Sequence, residues 1–107
     1  MHKLAACMLG AVLVLAAQTT FAQSNGDPAT GKLRAGLCAG CHAIPGYRNA
    51  YPTYTVPKIG GQHAEYIVSA LKAYQSRQRS HPTMQAIAAS LSEKDMADLG
   101  AYFASVK

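Results

Sequence analysis

Cysteine is scarce in this 107-residue chain, and its scarcity weighs against two familiar kinds of cysteine site. Of the three cysteines, Cys7 lies in an N-terminal segment that we expect to be removed, which leaves Cys38 and Cys41. A structural zinc site normally uses four Cys or His ligands, often as two Cys-x-x-Cys pairs. A thioredoxin-like redox pair would accompany a strand–helix–strand pattern, and no convincing strand run follows residue 23. The two remaining cysteines therefore need another explanation.

Other functional patterns are missing as well. The sequence shows no constellation of catalytic acid, base and nucleophile, which argues against an enzyme. Basic and aromatic residues do not alternate as they would on a nucleic-acid surface, so we expect no nucleic-acid partner. There are no internal repeats and no low-complexity tracts.

Long apolar runs are confined to the N-terminus. A basic start at residues 2–3, an apolar run over 4–17 and a small-residue site ending at Ala22 are typical of a secretory signal. We predict a cleaved signal peptide at residues 1–22, a single domain at 23–107 and a periplasmic location. The apolar run is shorter than the roughly 20 residues of a spanning helix, so we expect no membrane span after cleavage. An uncleaved anchor is the alternative.

The most informative segment is Cys38-Ala39-Gly40-Cys41-His42. Cys-x-x-Cys-His is the signature of covalent c-type haem attachment, and export fits it because bacterial c-type haems are attached outside the cytoplasm. Two cysteines three positions apart on a helical turn can bond to the two vinyl groups of one porphyrin. The histidine that follows can bind the iron from the proximal side. The segment predicts one haem c and a role in electron transfer.

The expected mature chain is short, at 107 − 22 = 85 residues. Domains of this size often need a disulfide or a metal to be stable. Because both cysteines would be bonded to haem, no disulfide is left, and the porphyrin would supply the missing apolar core. We therefore expect the apo-protein to be largely unfolded.

The pattern along the mature chain predicts helices separated by loops. Asp27 before Pro28 is a typical helix start, whereas the prolines and glycines of residues 43–61 exclude long regular structure. Ser92 and Asp95 resemble a capping box. The predicted elements are a helix from Asp27 to about Cys41, a helix from Gln62 with an apolar stripe of Tyr66, Ile67, Ala70, Leu71 and Tyr74, a polar loop over 77–83, a short helix after Met84, and a helix from Ser92 to about Val106.

These segments resemble a small class I c-type cytochrome, of the bacterial periplasmic group that includes cytochrome c-four and short single-haem relatives. The resemblance implies an all-α fold in which three to five helices surround one covalently bound haem. Two departures are Ala43, where the group commonly has glycine, and the long loop over 44–56. The matching segments are Gly31-Lys32, the haem pentapeptide, Pro57-Lys58-Ile59-Gly60-Gly61-Gln62, Met84, and residues 91–104.

A methionine is the expected sixth iron ligand. Met1 and Met8 leave with the signal, and Met96 has the spacing of a packing residue. Met84 follows a loop and occupies the position that the resemblance assigns to the distal ligand, so we predict His42 and Met84 as the iron ligands. His63 and His81 are the alternatives, since two histidines can also ligate haem iron.

The resemblance also implies residues around the haem. The Pro57 carbonyl is the expected acceptor for the second ring nitrogen of His42, and Ile59 would press on the haem face. Arg48 is the first candidate for the propionates, because a guanidinium can bind a carboxylate bidentately. Further propionate candidates are Tyr47, Tyr51 and Tyr54.

Charge suggests the partners. Without Lys3 the mature chain has nine Lys and Arg against five Asp and Glu. A basic surface near the haem edge would steer periplasmic redox proteins with an acidic docking surface. We predict a one-electron carrier. The alternatives are a haem-bearing subunit of a larger periplasmic dehydrogenase or reductase, and a ligand-binding sensor with an open sixth position.

Overall fold

The structure, a computed structural model, describes residues 26–50 and 53–107, so the predicted signal peptide and Tyr51 lie outside the described residues. No strand occurs in these two ranges, where the sole β pairing is an isolated antiparallel bridge between Arg48 and Thr55. The all-α prediction is confirmed. The helices are α1 (Pro28–Arg34), α2 (Gly36–His42), α3 (Ala64–Gln75), α4 (Pro82–Ala89) and α5 (Glu93–Ser105).

The single helix predicted from Asp27 to Cys41 is wrong in detail, because the structure has two helices there. Asp27 caps α1 as expected, and its carboxylate accepts from the N–H groups of Ala29 and Thr30 at 3.1 and 3.2 Å. The chain then tightens at Ala35, whose N–H bonds to the Lys32 carbonyl only three residues earlier. Ala35 is buried in the core, and α2 starts directly after it.

Helices α1 and α5 cross closely. A Cβ atom on Gly31 would overlap the backbone carbonyl of Asp98 and lie 2.8 Å from the Cβ of Tyr102. The buried Asp98 carboxylate accepts from the Asp27 N–H at 2.8 Å and from the Lys94 ammonium at 2.7 Å. The hydrogen bond from Lys94, followed by that from Asp27, lowers the pKa of Asp98. This carboxylate therefore joins the start of α1 to the middle of α5.

The core lies between α5 and α3. Met96, Leu99 and Phe103 of α5 pack with Ile67 and Leu71 of α3. The predicted capping box of Ser92 and Asp95 is confirmed at the start of α5. The predicted apolar stripe of α3 is only partly right. Tyr66 is 54% exposed, because it is rotated by one residue, about 100° on a helix, from the buried position of Ile67.

Helix α4 packs on α3 and begins earlier than predicted. The first residue of α4 is Pro82, so Met84 lies in the first helical turn and not at the end of a loop. Proline is favoured at this first position, where its missing N–H is not needed. At the other end, the Gln75 side-chain amide donates to the carbonyls of Ala88 and Leu91 at 3.0 and 2.9 Å. Gln75 thereby fixes α4 against the end of α3.

The loop before α3 is tied to α5. The Gly61 N–H donates to the Phe103 carbonyl at 2.8 Å, and Gly61 has a positive φ of 81°, which glycine adopts without strain. Within residues 26–50 and 53–107, no helix is long and apolar enough to cross a membrane.

Candidate haem site

An open cavity of about 500 Å³, counting its mouth, lies between α2, the loop before residue 58 and α4. Most of its lining residues are apolar, with a few polar groups at the edges. The lining residues are Leu37, Cys38, Cys41, His42, Asn49, Tyr54, Val56, Pro57, His81, Thr83, Met84 and Ile87.

Helix α2 supplies one wall with Cys38, Cys41 and His42. Neither cysteine forms a disulfide, both are half-buried, and they stand three positions apart on the helix. Two unpaired thiols on one wall of an apolar cavity suit the double thioether attachment that the motif predicts.

The His42 ring is oriented by the opposite loop. Its Nδ1 lies 2.5 Å from the backbone carbonyl oxygen of Pro57. A carbonyl can only accept a hydrogen bond, so Nδ1 carries the proton and the lone pair of the neutral ring is on Nε2. This tautomer is the one in which Nε2 can bind a metal while the second nitrogen donates to a carbonyl.

The loop between α2 and α3 forms a second wall. Backbone hydrogen bonds from Val56 to Tyr47 at 2.8 Å and from Asn49 to Tyr54 at 3.0 Å fold it into a short hairpin. This hairpin brings Tyr54 and Val56 to the cavity. Arg48 lies on the same hairpin, but it is exposed and is not among the lining residues.

Helix α4 supplies the third wall. Met84 and Ile87, one turn apart, both line the cavity, and Met84 also packs against the core. Thr83 and His81 lie at the start of the same helix. A thioether is thus available on a different element from the α2 motif, at the same cavity.

The structure brings together five of the seven residues that we predicted to bind the cofactor. The predicted residues at the cavity are Cys38, Cys41, His42, Pro57 and Met84. Ile59 instead packs against the core, and its contact with haem, like that of Arg48, stays a prediction. Of the two alternative ligands, His81 lines the cavity, whereas His63 is exposed at the start of α3 and is not a lining residue.

Several lining residues were not predicted from the sequence. Leu37 and Ile87 could have been found, because Leu37 is four residues before Cys41 and Ile87 three after Met84, on the same helical faces. The sequence gives no comparable signal for Asn49, Val56 and Thr83. The first two belong to the irregular hairpin, where no periodicity marks the inward side.

Comparison with known proteins identifies the family. The sequence model of the family described as Cytochrome c matches residues 29–107, which is most of the chain. The chain belongs to the cytochrome c family. It is a class I c-type cytochrome that resembles the cytochrome c4 group, and this membership implies a covalently bound haem c with its iron.

Individual relatives agree with this assignment. Cytochrome c4 of Pseudomonas aeruginosa is 32% identical over 94% of this chain and 48% of its own length. Cytochrome c-554(548) of Halomonas halodenitrificans is 40% identical over 75% of this chain and 96% of its own length. The crystal structure of reduced recombinant cytochrome c4 from Pseudomonas stutzeri has a TM-score of 0.57 at 33% identity, over 77% of this chain and 50% of that one. The chain thus spans about half the length of the cytochromes c4 and nearly all of cytochrome c-554(548).

The residues at the cavity fit the haem of this family. The α2 wall offers two free thiols and an imidazole whose Nδ1 is already engaged by Pro57. The α4 wall offers a thioether, and the remaining lining is mostly apolar. These are the groups that thioether attachment and His/Met ligation require.

Proposed function

We propose that this cytochrome is a one-electron carrier with a single haem c, bonded to Cys38 and Cys41 and ligated by His42 and Met84. The observation that carries the proposal is the cavity itself, which has the Cys-x-x-Cys-His wall of α2 and the Met84 wall of α4. Haem supplies the one-electron chemistry, since its iron can change oxidation state. The chain supplies attachment, ligands and a largely apolar surrounding.

The ligand set has a consequence for the reduction potential. A thioether ligand favours ferrous iron, so His/Met ligation raises the potential relative to two histidines. The Pro57 carbonyl, 2.5 Å from Nδ1, holds the His42 ring in one tautomer and orientation. A fixed ring limits the rearrangement at the ligand when the electron arrives or leaves.

Surface charge supports a transient partner with an acidic docking surface. Three basic residues, Arg34, Lys72 and Lys94, form ion pairs with carboxylates of α5. Arg48 and Lys58 are exposed and lie on the loop that forms the second cavity wall, next to the lining residues Asn49 and Pro57. Exposed cations beside a redox centre speed the encounter with an anionic partner at low salt.

The proposed location is the periplasm, with residues 1–22 removed as a signal peptide. The support is the signal-like sequence of this segment, which lies outside the described residues. The expected attachment of haem outside the cytoplasm agrees with it.

A second candidate function is that of a haem subunit in a larger periplasmic dehydrogenase or reductase. Two exposed apolar side chains outside the cavity lining favour it: Leu33 is 87% exposed and Ile44 is 45% exposed. Exposed apolar side chains mark a protein interface where they form one contiguous patch. Purification as a stable complex would support the subunit, whereas purification as a free protein with reversible one-electron chemistry would support the carrier.

Ligation is tested by an optical spectrum and a redox titration of the purified mature protein. Sulfur–iron ligation produces an absorption band at the red end of the spectrum of the oxidised protein, and we expect this band. Met84→Leu should abolish this band and lower the potential. Met96→Leu is the matched control, since it alters a fully buried core methionine away from the cavity and should retain the band. A band that survives Met84→Leu would refute the assignment of Met84.

A further inference from the structure

His81 caps the helix that carries Met84. Its backbone is extended, and its carbonyl accepts the Gln85 N–H at 2.8 Å. Its ring Nδ1 accepts the N–H of Met84 at 3.2 Å. The first N–H groups of a helix have no partner within the helix, and Pro82 has none to offer. The ring of His81 therefore holds the amide of the proposed ligand residue itself.

The His81 ring is also held from two sides. Its centroid lies 4.8 Å from that of Tyr54, with the planes at 83°, and 6.3 Å from that of Tyr74, at 77°. Both are edge-to-face arrangements of the favourable kind. Tyr74 is covered in turn by the Arg79 guanidinium, 4.6 Å from its ring centre. The ring thus connects the cavity loop, α3 and the first turn of α4.

This arrangement conflicts with His81 acting as an iron ligand. A neutral imidazole has one nitrogen with a free lone pair and one that carries a proton. Because Nδ1 accepts from Met84, the lone pair on Nδ1 is in use and the proton is on Nε2. A metal ligand needs a free lone pair. Capping and ligation by the same neutral ring therefore exclude each other.

We propose that His81 is a positioning residue, which fixes the first turn of α4 so that the Met84 thioether stays at the iron. This inference rests on the proposed function, because it assumes Met84 as the distal ligand. Without the cap, the turn that carries Met84 frays more often and an added ligand can compete for the iron. Loss of an N-cap changes a local equilibrium by about fivefold.

The test compares His81→Ala with His81→Asn in the haem-loaded protein. Asparagine is a strong N-cap residue, so it should restore the hydrogen bond to the Met84 N–H. The probe is imidazole binding to the oxidised protein, and amide hydrogen exchange at Met84 reports the hydrogen bond directly. We expect His81→Ala to raise imidazole affinity and Met84 exchange about fivefold each. His81→Asn should stay close to the unchanged protein.

His63→Ala is the matched control. His63 also stands at the N-cap of a helix, α3, but its side chain makes no capping hydrogen bond and it is exposed. It should leave both readouts unchanged. The proposal is overturned if His81→Ala leaves both readouts unchanged, as His63→Ala should. It is also overturned if His81→Asn raises imidazole affinity and Met84 exchange as much as His81→Ala does.

The outcome for His81 can be separated from the outcome for ligation. If Met84→Leu removes the sulfur–iron band while His81→Ala changes neither imidazole affinity nor exchange, the positioning role fails and the proposed ligation stands. If the band survives Met84→Leu, the ligation itself fails. If the sixth ligand is lost in His81→Ala but kept in Met84→Leu, His81 is the ligand and both proposals are wrong.

Discussion

Gly31→Ala tests how closely α1 and α5 must approach. The added Cβ would overlap the Asp98 carbonyl and lie 2.8 Å from the Tyr102 Cβ. Neither atom can swing away without moving α5, so we take the upper part of the overpacking range, about 3 kcal/mol. Alanine gains about 1 kcal/mol over glycine within a helix. The expected net loss in the free energy of unfolding is about 2 kcal/mol.

The assay is a circular dichroism melt of the haem-loaded protein. For a domain of this size, a loss of about 2 kcal/mol lowers Tm by roughly 8–16 °C. Gly36→Ala is the control, because a Cβ at Gly36 meets nothing within 4 Å and the residue is helical. It should leave Tm unchanged or raise it by a few degrees. A Gly31→Ala protein with a Tm equal to or above that of the unchanged protein would show that the α1–α5 crossing can accommodate a Cβ atom. That result would refute the packing argument.

Three further predictions concern acid, haem and salt. The lowered pKa of Asp98 means that its stabilising contribution is present above its ordinary pKa of 3.8 and is lost as pH falls through the lower folded value. The free energy of unfolding of the unchanged protein should therefore drop more steeply below about pH 4 than that of Asp98→Asn. Denaturant unfolding at several pH values measures both, and parallel curves would contradict this prediction. A Cys38→Ser, Cys41→Ser chain, which cannot attach haem, should show no cooperative melt, and a sharp transition would disprove the need for haem. Electron transfer to an acidic partner should slow as ionic strength rises, because salt screens the exposed cations; a rate independent of salt would exclude steering.

The sequence predicted the helices and their caps better than their junctions. Caps depend on neighbours two or three residues away, so Asp27 and Ser92 were identifiable from local pattern. The break at Ala35 was not, because alanine favours helix, and the single glycine after it, Gly36, can end a helix but is also tolerated inside one. Ala35 is 3% exposed, so its place is decided by packing against distant residues of the core.

The same distinction applies to the site. Cys38, Cys41 and His42 are predictable because one cofactor must be reached by closely spaced residues of one helix. Met84 was predicted by elimination among the few methionines of the mature chain and by the resemblance, although its position inside a helix was not foreseen. Asn49 and Val56 reach the cavity only through the hairpin bonds to Tyr54 and Tyr47, which no local pattern encodes.

The way the helices pack explains why haem should be needed for folding. Among the described helices, the backbone of α2 lies close to that of α1 alone and the backbone of α4 close to that of α3 alone, although Cys38 and Met84 also contact the core. The cavity lies between these two otherwise separate helices, and a side chain to main chain contact, His42 to Pro57, joins α2 to the loop. Pro57 is linked in turn to α5 through the segment ending at Gly61, whose N–H donates to the Phe103 carbonyl. Thioethers on α2 and a ligand bond to α4 would join both walls through one rigid apolar ring, and burying that ring adds the apolar contact that so short a chain lacks.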